Sequence, residues 1–181
     1  MNNLLKLATI TISGAFSLAN LAFFSNSVKA ENQFDVCLRE LTASGVTVED
    51  AQTGCADALV PRELSSCVTN ISQSTSISAK DALTSCYQVR RPVDLGNCVV
   101  SINNTVLTAS NKNTQAKVEG DNSQSPLMMA LSTCQASLLP IRQSECVIAL
   151  SRTPQASNPV KAMETCLSAE DFPRDLFPSY N

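Results

Sequence analysis

The sequence predicts an all-α protein, an array of four disulfide-stapled αα-hairpin repeats with a truncated C-terminal cap. Three recurring features carry this prediction: an apolar helical face around one set of cysteines, a capped helix around a second set, and a proline phrase between them. Units of this kind cannot bury their apolar faces alone and therefore stack on their neighbours. Each repeat has two cysteines, called here its first and its second cysteine. The four pairs account for all eight cysteines in the chain: Cys37, Cys55, Cys67, Cys86, Cys98, Cys134, Cys146 and Cys166.

The first helix of each repeat, helix A, is centred on the first cysteine. Apolar residues or cysteine occupy fifteen of the sixteen positions at −3, 0, +1 and +4 from that cysteine in the four copies, and the exception is Gln143. In the second copy these positions are Leu64, Cys67, Val68 and Ile71. This spacing is one face of an α-helix.

The second helix, helix B, carries an alanine four residues before every second cysteine: Ala51, Ala82, Ala130 and Ala162. Eight or nine residues before the cysteine stands a residue typical of helix N-caps: Thr47, Ser78, Ser125 or Asn158. The first two caps have Asp50 and Asp81 at the spacing of a capping box. The other two are followed directly by a proline, which is favoured at the first helical position. Both devices predict the same helix start.

In each of the first three repeats, a proline stands six residues after the second cysteine: Pro61, Pro92 and Pro140. This proline predicts the start of the next helix A. The full phrase, C-x5-P-x-[DE]-L-x2-C, occurs twice. After Cys166 it returns one residue late as Pro173-Arg174-Asp175-Leu176, so residues 172–181 are predicted to form the cap. The repeats then cover about 34–60, 61–91, 92–139 and 140–171 of a single domain, 31–181.

Two sets of disulfides suit this arrangement. In the first set, each disulfide joins the midpoints of helices A and B of one repeat. In the second set, each disulfide joins helix B of one repeat to helix A of the next repeat, which is also a neighbour. The first set uses all eight cysteines and the second leaves Cys37 and Cys166 without partners, so pairing within the repeats is favoured. A metal site is not expected, because the cysteines are too far apart in sequence and histidine is absent.

Residues 1–30 are predicted to be a secretory signal peptide. Lys6 gives a short positive region, residues 7–24 are apolar, and Ser27-Val28-Lys29-Ala30 offers a cleavage site after Ala30. A transmembrane anchor is the less favoured alternative, because polar residues interrupt the apolar stretch. An even number of cysteines behind a signal is typical of an exported protein with disulfide bonds, either periplasmic or extracellular. No stable membrane insertion is expected after cleavage.

The third repeat carries 35 residues between its cysteines, against 17 to 19 in the others. The surplus lies in Asn103–Ser125 and is rich in Asn, Ser and Thr. A binding site can be built on such a loop, but surface insertions are also tolerated without function, and this second interpretation is favoured. Four arginines recur where the repeats join: Arg62, Arg90, Arg91 and Arg142. They could form a basic stripe that binds an acidic ligand. Arginines at such positions are more often solvated or paired with a carboxylate, and this second interpretation is favoured.

The residue types argue against catalysis. Without histidine, the Ser-His-Asp and Cys-His systems are absent, and no phosphate-binding glycine motif occurs. The sequence therefore predicts neither an enzyme nor a cofactor. A formal net charge of −3, which becomes more negative when Lys6 and Lys29 are removed, argues against nucleic acid as a partner.

The stapled hairpins resemble the Sel1-like cysteine-rich repeats of secreted bacterial proteins in architecture, although that family has longer repeats and closer cysteines. The phrase C-x5-P-x-[DE]-L-x2-C is more similar to uncharacterised exported proteins of cyanobacterial type, over residues 34–176. Neither resemblance implies an activity. By analogy with helical repeats, the chain is expected to be an extracytoplasmic protein-interaction or structural module, with another protein as partner. The alternative is a carrier of a small apolar ligand held between its helices.

Overall fold

The computed structural model describes residues 31–109, 125–153 and 158–168, all in one compact unit of the chain, Glu31–Asn181. These residues form eight α-helices and contain no strand: α1 (Gln33–Ala43), α2 (Val48–Asp57), α3 (Pro61–Ser74), α4 (Ala79–Tyr87), α5 (Pro92–Ile102), α6 (Pro126–Ala136), α7 (Pro140–Ser151) and α8 (Pro159–Ser168). The prediction of an all-α array of stapled hairpins is confirmed for this part of the chain. The predicted signal peptide (1–30), most of the insertion (110–124) and the predicted cap (172–181) lie outside the described residues.

The helices from α2 to α8 begin at the residues that the sequence predicted. In helices B the Thr47, Ser78 and Ser125 side chains accept from the backbone N–H three residues later, at 3.1 to 3.3 Å. Helices A after the first begin directly with Pro61, Pro92 or Pro140, and no capping side chain precedes them. A proline at this position has no N–H to leave unsatisfied, so the missing cap costs little.

The capping box of α4 provides a first test. The Ser78 Oγ accepts from the Asp81 N–H and donates to the Asp81 carboxylate at 2.7 Å. Ser78→Ala removes both bonds and is expected to lower the free energy of unfolding by about 1 kcal/mol in urea titration. Ser76→Ala, an exposed serine two residues earlier, is the matched control and should change little. Equal losses in the two variants would contradict the capping role.

The four hairpins stack as two layers. Helices A (α1, α3, α5 and α7) form a row in which each contacts the next. Each helix B packs on its own helix A, the first three also pack on the following helix A, and α6 contacts α8. One continuous apolar core therefore runs through the described repeats. The four alanines of helices B are buried in it, at 0 to 4% exposed, which allows the close approach of the two helices in a hairpin.

Small residues mark the contact between successive helices A. The residue two before the first cysteine is buried in α3, α5 and α7, where it is Ser65, Gly96 or Ser144. In α1, which has no preceding helix A among the described residues, it is the exposed Asp35. A Cβ added to Gly96 would lie 3.5 Å from the Cys67 Cα and carbonyl oxygen. A small side chain, glycine or serine, is thus buried at this position in each helix A that follows another.

Helices B repeat the pattern towards the other end of the array. The residue before the second cysteine is buried in the first three repeats, as Gly54, Ser85 and Thr133, but Thr165 is exposed in the fourth. A Cβ on Gly54 would meet Leu83 of α4 at 3.4 Å. This position therefore faces the following repeat and stays buried only where such a repeat covers it.

Each disulfide joins the two helices of one repeat: Cys37–Cys55, Cys67–Cys86, Cys98–Cys134 and Cys146–Cys166. Their Cα–Cα distances are 5.9 to 6.1 Å, within the ordinary range. This is the pairing within the repeats that the sequence favoured. After α5 the chain continues through a π-helical turn, Asn103–Leu107, which buries Val106 and Leu107 together.

Candidate functional site

Corners in the chain connect each helix B to the next helix A. The three described corners are residues 56–63, 87–94 and 135–142. The first two line a common groove of about 310 Å³, and the Gln135 Nε2 donates to the Gln88 Oε1 at 2.6 Å between the second and the third. The corners therefore adjoin along one edge of the array. Together with Leu167, which begins the fourth, we call them the corner surface.

The corner surface carries most of the exposed large apolar side chains. Ten such side chains are found among the described residues, and eight lie on this surface: Leu59, Val60, Tyr87, Val93, Leu138, Leu139, Ile141 and Leu167. Leu59 and Leu138 are each 92% exposed, and each stands four residues after its second cysteine. Single exposed apolar residues are normal on any protein, but their concentration along one edge is typical of an interaction site.

The backbone holds these side chains outward. Pro61 and Pro140 are buried and fix the start of the next helix. The residue before each proline is not helical: Val60 has φ −133° and ψ 92°, and Leu139 has φ −128° and ψ 74°. A leucine just before this non-helical residue has no helix to pack against. The exposed leucines thus project from a rigid frame, which lowers the entropy lost when a partner covers them.

Charges of both signs lie among the apolar side chains. The Arg91 Nε lies 2.6 Å from the Asp94 Oδ2, and Arg90 shares the groove with Asp57 and Glu63. The four arginines of the predicted basic stripe are exposed at the corners, but carboxylates accompany them. The surface is mixed in charge, which matches the favoured interpretation of solvated or paired arginines.

The described grooves are open to solvent. The first is the one between the corners, and the second, of about 360 Å³, is lined by six residues of which five are polar: Glu40, Ser66, Thr69, Asn70, Val93 and Asn97. A carrier of an apolar ligand needs a mostly apolar, concave site that encloses the ligand. The second groove is too polar for such a ligand. The first groove is lined mostly by apolar residues but is open to solvent and does not enclose a ligand.

Residues 31–109, 125–153 and 158–168 hold no cluster of three His, Cys, Asp or Glu side chains suited to a metal ion. Among these helices none has the length and apolar character needed to cross a membrane. A comparison with protein-family models, curated proteins and solved structures finds no match to this chain. The resemblance to exported cysteine-repeat proteins thus stays an expectation.

Sequence reasoning considered the arginines at the corners but missed the apolar side chains beside them. The signal lies in the two residues before each proline, which are Leu59-Val60, Arg90-Arg91 and Leu138-Leu139. Two of these three pairs are apolar at positions where a turn tolerates polar residues equally well. Apolar pairs at equivalent turns would have indicated the surface, but only once the turns were known to share one edge.

Proposed function

We propose that this chain is an extracytoplasmic protein-interaction module, secreted or periplasmic, that binds another protein through its corner surface. The observation that carries the proposal is the concentration of exposed apolar side chains on that surface. The four disulfides support the compartment, since such bonds persist where the environment is oxidising. The role is binding and not catalysis.

The composition of the surface favours a protein partner. Apolar and aromatic side chains such as Leu59, Tyr87 and Leu138 stand beside the paired charges of Arg91 and Asp94. Protein interfaces combine an apolar centre with a polar rim in this way. Covering one fully exposed leucine contributes about 1.5–3 kcal/mol, so the two leucines together contribute a substantial part of a micromolar affinity.

The double variant Leu59→Ser, Leu138→Ser tests the proposal. It is expected to reduce partner recovery at least about tenfold, since losing 1.4 kcal/mol of binding already changes an equilibrium tenfold. Tagged chain is cross-linked in its own oxidising compartment, isolated without reductant, and its bound proteins are quantified by mass spectrometry. Stability should not change, because both side chains are 92% exposed.

Val48→Ser is the matched control. Val48 is also apolar and 62% exposed, but it begins α2 at the opposite end of the hairpin from the corner. Its partner recovery should equal that of the unmodified chain. If the double variant retains the partner, or if Val48→Ser loses it to the same extent, the corner surface is not the binding site.

A further inference from the structure

The disulfide of the last repeat differs from the other three in its accessibility. The six cysteines of the first three repeats are 0 or 1% exposed. Cys146 and Cys166 are both partly exposed. Among the four disulfides, this is therefore the one whose cysteines keep part of their surface in contact with solvent.

The cause lies in the direction of stacking. The residue before each second cysteine is covered by the following repeat in the first three units, and its counterpart Thr165 is exposed in the fourth. Cys37 and Cys55 also belong to a terminal repeat, yet α3 packs on both of their helices and they stay buried. A terminal position alone does not expose a disulfide. The difference in the fourth repeat is that no helix of the described residues packs on its outward side.

We propose that Cys146–Cys166 is a thiol–disulfide exchange site, the point at which a dithiol reductant acts on this otherwise resistant fold. A thiolate of the dithiol attacks one sulfur of the bond, forms a mixed disulfide and releases the other cysteine as a thiolate. The second thiol of the reductant then displaces the mixed disulfide. Two electrons and two protons pass to Cys146 and Cys166, and the reductant leaves as its own disulfide. The partner class is an extracytoplasmic dithiol–disulfide oxidoreductase.

Reduction would act mainly on α8, whose tertiary contacts are with α6 and α7. This helix has ten residues, of which Ala162 and Met163 are the buried ones, and a helix of that length is marginal without tertiary support. Besides the disulfide, the buried Gln143 Nε2 donates to the Met163 carbonyl at 3.0 Å. Loss of the disulfide therefore loosens α8 from α7, while the three buried disulfides keep the first three repeats intact.

The first experiment uses the unmodified oxidised chain under native conditions. Dithiothreitol is added at graded concentrations, the reaction is quenched with acid, and free thiols are alkylated and located by peptide mass spectrometry. Cys146 and Cys166 are expected to become labelled at least about tenfold faster than the others, because a buried disulfide exchanges only through opening of the fold. Equal labelling of Cys37 and Cys55, or simultaneous labelling of all eight, would overturn the proposal.

The second experiment asks whether reduction loosens only the last repeat. Limited trypsin digestion after mild reduction should accelerate cleavage at the exposed Lys161 of α8, with no change at Arg62 of α3. The variant Cys146→Ala, Cys166→Ala should show the same fast cleavage without reductant. Uniform acceleration at both sites on mild reduction of the unmodified chain would mean that the whole array opens, and that α8 is not a separate unit.

Discussion

Gly96→Leu is expected to lower the free energy of unfolding by about 3 kcal/mol, because a larger side chain at this point has to displace the backbone of α3. The Cβ of any residue here lies 3.5 Å from the Cys67 Cα and carbonyl oxygen and 3.4 Å from the Asn70 Nδ2. Further carbons beyond that Cβ would clash with the backbone of α3. The measurement is equilibrium unfolding in urea, followed by circular dichroism, under oxidising conditions.

Gly96→Ala is the matched control and has the opposite expected sign. Its added Cβ makes ordinary van der Waals contacts, and alanine is favoured over glycine inside a helix by about 1 kcal/mol. The alanine variant should therefore be as stable as the unmodified chain or slightly more so. If leucine is tolerated as well as alanine, α3 and α5 are not in close contact, and the stacking of helices A described above is wrong.

The sequence predicted the helices because their ends carry local chemistry. Ser78 with Asp81 and Ser125 with Pro126 satisfy or remove backbone donors within a few residues, so their effect does not depend on the rest of the fold. The pairing within repeats was favoured by counting, since of the two sets considered only that one uses every cysteine. These features are encoded by neighbours in sequence, and the structure shows them where they were predicted.

The surfaces through which successive helices A stack were not predicted, because the only signal in the sequence is a small residue, glycine or serine, at one position of the helix. Ser65, Gly96 and Ser144 occupy one position in three copies, and the polar Asp35 occupies it in the first. When the direction of stacking is unknown, the difference between Asp35 and these small residues looks like ordinary variation among repeats. Burial explains it: a charged residue is tolerated only where no preceding helix A covers it. The π-helical turn Asn103–Leu107 likewise depends on packing that the local sequence does not reveal.

The same dependence on context hid the corner surface and the exposed last disulfide. Leu138 in the printed sequence resembles any core leucine, and Cys166 resembles Cys55 or Cys86. Leu138 is exposed because it lies at a corner, outside both layers of helices. Cys166 is partly exposed because it lies in a repeat that no described helix covers on its outward side. Exposure is a property of the stack, so a periodic sequence predicts which residues are equivalent but not which equivalents stay covered.

Removing the disulfide of the third repeat, by Cys98→Ala with Cys134→Ala, is expected to lower the free energy of unfolding by about 4 kcal/mol. The bond spans a sequence separation of 36 residues, and in the chain-entropy account a longer closed loop restricts the unfolded chain more strongly. The matched comparison is Cys67→Ala with Cys86→Ala, whose bond spans 19 residues and whose removal should cost about 3 kcal/mol. Urea unfolding of both variants without reductant gives the two values.

This pair of variants separates two explanations of disulfide stability. The four cysteines are equally buried, at 0 or 1% exposed, so the packing lost on truncation to alanine is similar in both repeats and loop length is the main difference. If the variant of the third repeat loses more stability, restriction of the unfolded chain determines how much each disulfide contributes. The insertion then increases the contribution of its own disulfide. If the second repeat loses as much or more, the account is wrong for this protein. Packing between α3 and its two neighbouring helices A, which is disturbed from both sides when the second repeat loosens, would then govern.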